Sequence, residues 1–170
     1  MPLAVVVDLT NGWGTLPRKT AADRDAPPAS DLLGLLGESA AGMSDVDLQR
    51  VADRLFSVFT ATSPRELATR VTDLLARSGV RPALDSDHGR LRATWLVKHP
   101  RDLLLAGAAV ALHAQLAEHG AERLGTCGAD HCADVYVDAS PAGHRRFCSV
   151  TCQNRERVAV FRRRRAEARS

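Results

Sequence analysis

Aromatic residues are scarce in this chain of 170 residues: they make up 4% of it, with one Tyr and two Trp. Its interior must be filled mainly by Leu, Val and Ala, a composition that favours helices over an aromatic-rich sheet. Cysteine is missing from the first 126 residues, so that part has no disulfide framework and must form an ordinary hydrophobic core. Also missing is any apolar run of the roughly eighteen residues that a membrane span needs. The most apolar segment, Leu103 to Leu112, is closed by His113 and Gln115. The apolar start, Leu3 to Val7, is too short for a secretory leader and meets Asp8 at once. We therefore expect a cytoplasmic protein with no membrane partner, nucleoid-associated if it binds DNA. Catalytic constellations are absent too. Asp8, Asn11, Trp13, His88 and His99 form no triad, carboxylate pair or phosphate loop, so we expect no enzyme.

The cysteine that is present is concentrated. Cys127 and Cys132 are separated by four residues, Cys148 and Cys152 by three, and the two pairs by fifteen. Two short knuckles that each supply two thiolates make a tetrahedral Zn²⁺ site. Four thiolates fill the coordination sphere and leave no position for water, so one structural zinc ion is expected. Its binding supplies about 10–16 kcal/mol, much of the folding free energy of so small a module. His131 and His144 are rival ligands, but the cysteine spacing is complete without them. Ala133 to Asp138 reads as one strand of a hairpin, Ser140-Pro141-Ala142-Gly143 as its turn, and Arg145-Arg146-Phe147 as the returning strand. Ser149 then caps a helix whose first turn carries Cys152. Knuckle, hairpin and ligand-bearing helix form the outline of a treble-clef finger.

The net charge of +3 hides an asymmetry, because residues 144–170 carry +7 and residues 1–143 carry −4. A basic tail on an acidic body suits a polyanion. Helical spacing places Val150, Asn154, Val158 and Phe161 on one face, expected to pack on the hairpin and the zinc, with Asn154 tying down knuckle backbone. Arg155, Arg157, Arg162, Arg163, Arg164 and Arg165 are then left for phosphates or guanine edges, and Arg145 and Arg146 extend the patch.

Before the cysteines, residues 1–122 read as a helical domain with a few short strands. Ala4 to Leu9 is β-branched and expected as a strand, ended by Thr10 to Gly14, with a loop over residues 17–30. Ser30-Asp31 caps a short helix over Leu32, Leu33, Leu35 and Leu36. Ser44 starts a longer one over Val46, Val51, Leu55, Val58 and Phe59. Ser63-Pro64-Arg65-Glu66 is a capping box opening a helix over Leu67, Val71, Leu74 and Leu75, stopped by Gly79. Arg81 to Leu84 and Leu91 to Val97 form a hairpin around a polar loop. Pro100 starts a last helix over Leu103, Leu104, Ala108, Ala111, Leu112 and Leu116, stopped by Gly120. His113, Trp13 and Trp95 are expected in the core. The expected fold class is α+β, mostly helical, with a treble-clef-like zinc finger over residues 123–170.

Cys127, Cys132, Asp138, Ser140, Arg145, Arg146, Cys148, Ser149, Cys152, Asn154 and Arg155 together resemble the CGNR-type zinc finger, whose name is the Cys-Gly-Asn-Arg matched by Cys152 to Arg155. Gln153 replaces the Gly, and Phe147 stands where Trp is expected. Val7-Asp8-Leu9-Thr10-Asn11 is similar to the opening Asp-x-x-Asn of the ABATE domain that precedes such fingers. The resemblance implies a mostly helical N-terminal domain, a structural zinc and a stress-linked transcriptional regulator. DNA is then the expected partner and RNA the alternative, with only Tyr136 in the module available for stacking. A single finger offers little contact area, which favours a homodimer. Asp8 and Asn11 are the candidates for a ligand pocket, although such residues more often tie a turn to backbone.

Overall fold

The computed structural model of the chain describes residues 1–20, 34 and 36–168. Its first element overturns the expected strand: Leu3–Trp13 is a helix, α1. Its buried residues, Val5, Val6, Leu9, Thr10 and Trp13, follow a helical turn and not a two-residue alternation. A β-branched residue costs a helix about 0.5 kcal/mol relative to Ala. A fully buried Val or Leu returns roughly 1.5–3 kcal/mol, so packing decides. Part of the loop expected over residues 17–30 is helical as well, in α2 (Thr15–Thr20). The rest of that loop lies outside the described residues, as do Leu32, Leu33 and Leu35 of the helix expected after Ser30-Asp31. Leu36 is buried in the core.

Local capping signals fix the next two helices. Ser44 and Asp47 form a reciprocal capping box at the start of α3 (Asp45–Phe59), which buries Leu48, Val51, Ala52, Leu55, Val58 and Phe59. Val46, expected on this stripe, faces outward in the first turn and is 53% exposed. In α4 (Pro64–Ser78) the Ser63 hydroxyl accepts from the Glu66 N–H. The Glu66 carboxylate does not close the box on Ser63. It accepts instead from the N–H and hydroxyl of Thr62, at 2.7 and 2.8 Å. Gly79, at φ 62°, ends the helix in the left-handed conformation.

The expected hairpin is present, with longer strands and a tighter turn. Strands β1 (Arg81–Asp87) and β2 (Arg90–Leu96) pair antiparallel around His88 and Gly89, whose φ values are 48° and 76°. Two positive φ angles match the twist of a two-residue hairpin turn. Helix α5 (Leu103–His119) follows a 3₁₀ turn at Pro100–Asp102 and stops at Gly120. It buries Leu104, Leu105, Ala106, Ala108, Ala109 and Leu112, while Leu103 is at the surface. Helices α1, α3, α4 and α5 share one core. Trp13 lies in it, but Trp95 is 42% exposed. The Trp95 ring meets His113, itself exposed, edge-on with centroids 6.4 Å apart.

Two three-residue strands follow, β3 (Leu124–Thr126) and β4 (Val135–Val137), paired Leu124 to Val137, Gly125 to Tyr136 and Thr126 to Val135. This replaces the expected hairpin between residues 133–138 and 145–147. The Arg145 N–H is taken by the Asp138 carboxylate and its carbonyl by the Tyr136 hydroxyl, so neither is free for a ladder. Gly125 admits the Tyr136 ring, whose nearest atoms would lie 2.7 Å from a Cβ at that position. Val135 is fully buried in the main core, with Leu124 and Val137 packed against it. Helix α6 (Val150–Glu167) closes the described chain. The fold is α+β and mostly helical, and among the described residues no helix is long and apolar enough to cross a membrane.

Candidate metal centre and basic helix

The four cysteines converge from two directions. Cys127 leaves β3, and its N–H donates to the Asp134 carbonyl across the hairpin at 2.7 Å. The knuckle then turns back, with the Cys132 N–H donating to Ala129 O at 3.3 Å and His131 at φ 60°. Cys148 and Cys152 approach on either side of Ser149, the N-cap of α6, whose Oγ accepts from the Cys152 N–H at 3.2 Å. The two halves are tied by backbone: Gly128 N–H donates to Arg146 O at 2.9 Å, and Cys148 N–H to the Cys127 sulfur at 3.4 Å.

The Sγ atoms of Cys127, Cys132, Cys148 and Cys152 all lie within 4.8 Å of one another. Cys132 and Cys148 are 3.8 Å apart, Cys148 and Cys152 3.5 Å. Sulfurs bound to Zn²⁺ at about 2.3 Å in a tetrahedron stand about 3.8 Å from each other, so the set fits one zinc ion. Its electrostatics also call for a cation. Burial pushes the Cys132 thiol up to about 11 and raises Cys148 further still. At Cys152 burial acts in the same direction, but hydrogen bonds from Ser149 and the other cysteines outweigh it and the thiol is lowered. A divalent ion supplies the charge that lets four crowded sulfurs ionise. His131 and His144 lie outside this cluster, and both are exposed.

A second network shapes the loop between the cysteine pairs. Asp138 is 2% exposed, and its carboxylate accepts from Ser140 N–H at 2.9 Å and Arg145 N–H at 2.8 Å. The bonds from Ser140 and from the Arg145 backbone hold this carboxyl down at about 2. The Arg145 guanidinium donates to Phe147 O at 2.9 Å, to Val137 O at 3.1 Å and to Cys148 O, and sits 5.2 Å over the Tyr136 ring. Arg145, expected to face nucleic acid, instead commits its donors to the finger's own backbone.

The helix face of Val150, Val158 and Phe161 is not packed on hairpin or zinc: these residues are 70%, 49% and 59% exposed. The reason is reach. A helix of 18 residues spans about 27 Å, whereas the cysteine cluster covers its first turn. Cys152 is its one buried residue among those described. Asn154 is exposed too, contrary to the expected inner position. Arg146, Arg155, Arg157, Arg162, Arg163, Arg164 and Arg165 are all exposed. Arg163 pairs with Glu156 at 3.0 Å, and the Arg165 guanidinium lies 5.7 Å from the Phe161 ring centre.

Asp8 and Asn11 both line an open groove of about 850 Å³ between α1, the end of α5 and the finger. Asn11 ties backbone, as side chains of its kind do, but distant backbone in place of a local turn. Its amide donates to Val135 O at 3.0 Å and its Oδ1 accepts from Val135 N–H at 2.7 Å. Sequence reasoning missed strand β3, the buried Asp134 and this seam, because short strands and contacts between distant residues leave no periodic signal.

The family model of the CGNR zinc finger matches residues 123–165. The match takes in all four cysteines, Asp138 and most of α6, and begins after the body. No curated protein matches the chain. Matched segment and sulfur geometry together identify a metal-binding finger with four cysteine ligands.

Proposed function

We propose that the chain is a zinc-dependent, DNA-binding transcriptional regulator. In this reading α6 contacts duplex DNA, and residues 1–122 form a domain of the ABATE kind that senses a ligand or dimerises. It is a binding protein and not an enzyme. One observation carries the reading: α6 leaves its metal anchor with Arg155, Arg157, Arg162, Arg164 and Arg165 exposed along it. Phosphate contacts would supply most of the affinity, which falls steeply with salt. Arg145 drops out of the contact set, since its guanidinium holds the finger together. The groove beside Asp8 and Asn11 is the place for a small-molecule effector.

The test uses duplexes selected from a random pool. Arg155→Ala with Arg162→Ala is expected to weaken binding and to flatten the slope of log affinity against log salt by about 2, one unit for each arginine removed. Unchanged affinity and slope would remove α6 from the interface.

A second reading, RNA binding, gains from the exposure of Phe161. An exposed ring beneath an arginine is a stacking platform for an unpaired base. Phe161→Ala separates the two: it should weaken structured RNA and spare duplex DNA if RNA is the partner.

A further inference from the structure

The β1–β2 hairpin has two unlike faces. On one, Asp85 pairs across to Arg92 and Asp87 to Arg90. On the other, the register Pro82 to Trp95, Leu84 to Ala93 and Ser86 to Leu91 gathers Leu84, Leu91 and Trp95. Leu84 and Leu91 there are 70% and 72% exposed. An uncovered two-stranded ribbon is marginal in water, and a contiguous apolar patch of this kind marks an interface.

What lies beside the ribbon indicates its occupant. Trp95 touches His113 on α5. Val110 and Ala117 lie one turn either side of His113 on the same helix face, with Ala114 next to it. Val110 is half-buried, while Ala114 and Ala117 are exposed. The molecule thus presents long side chains on an exposed ribbon next to a shallow apolar strip of short ones. Knobs and shallow strip on one chain are satisfied together when two copies meet about a two-fold axis, each giving what the other lacks. Charge agrees. The Leu84/Leu91 face carries no charged side chain, and on the opposite face Asp85 and Asp87 stand across from Arg92 and Arg90, so two copies can meet on the apolar face without repulsion. The apolar residues of α6, in contrast, are flanked by arginines that would repel a second α6. We propose that the protein is a homodimer in which each hairpin lays its Leu84/Leu91 face over the strip of Val110, Ala114 and Ala117 on the α5 of the other copy. The proposal does not depend on what α6 binds.

Sedimentation of the full zinc-loaded chain tests it. The wild type is expected at twice the chain mass at micromolar concentration. Leu84→Asp with Leu91→Asp buries unpaired carboxylates and should raise the dimer dissociation constant roughly a hundredfold or more, with zinc content and helical circular dichroism unchanged. Ala114→Arg, on an exposed helix position, should do the same and serves if the hairpin variant misfolds. A wild type at single-chain mass at every concentration overturns the proposal and assigns the face to a different partner. Survival of the dimer in the folded hairpin variant also overturns it. Dissociation by the hairpin variant but not by Ala114→Arg overturns the exchanged arrangement in favour of hairpin against hairpin.

Discussion

Asp138 and Arg145 show how side chains of surface type become internal fasteners. Asp138 accepts from two backbone N–H groups, and Arg145 donates to three carbonyls. Both residues are legible as members of a motif. Their work is not, because sequence spacing says which residues recur and not which way their donors point. The depressed carboxyl makes a pH prediction. Its folded value is about 2 against an ordinary 3.8, so its contribution is fully present above about pH 4 and is lost as pH falls through about 2. Comparing wild type with Asp138→Asn in urea titrations, the penalty of the substitution should be full at neutral pH and shrink below about pH 4. A penalty that stays constant down to about pH 2 would mean that the charge of Asp138 is not what stabilises the loop.

At the scale of elements, legibility tracks how local the cause is. Ser44, Ser63-Pro64, Gly79 and Gly120 act on their nearest neighbours, and the boundaries they announce are those observed. Helix α1 departs from its sequence signal because its valines favour a strand locally and are overruled by burial. Strand β3 leaves no signal because three residues carry no period. The packing of α6 escapes the sequence for a third reason: amphipathic spacing requires a partner surface, and among the described residues the helix buries only Cys152, in its first turn. The metal is therefore the main fastening of this helix. Cys152→Ser, which removes the ligand on α6 itself, should abolish stoichiometric zinc by elemental analysis and markedly lower helical circular dichroism. Retention of one zinc per chain by the variant would show that three sulfurs suffice.

At the scale of the whole molecule, the finger and the helical body are joined through a shared interior. Val135 is fully buried with the body's residues, and Asn11 completes its backbone hydrogen bonds from α1. Asn11→Ala leaves both backbone groups of Val135 unmatched, at a cost of about 1–3 kcal/mol. In a chain of this size that is a fall in melting temperature of about 2–4 °C for each kcal/mol. Differential scanning calorimetry should record the fall in one cooperative transition. Two separated transitions in the wild type would mean that the seam does not couple the parts.

That seam also sets how the finger can be moved by recombination. A treble-clef module bounded by its cysteines looks like a cassette that could be grafted onto any carrier. Here the graft would expose Val135 to water on the new carrier and strip the donor's α1 of its cover at Asn11. A chimera would have to transplant α1 together with the finger, so the unit that folds is larger than the motif.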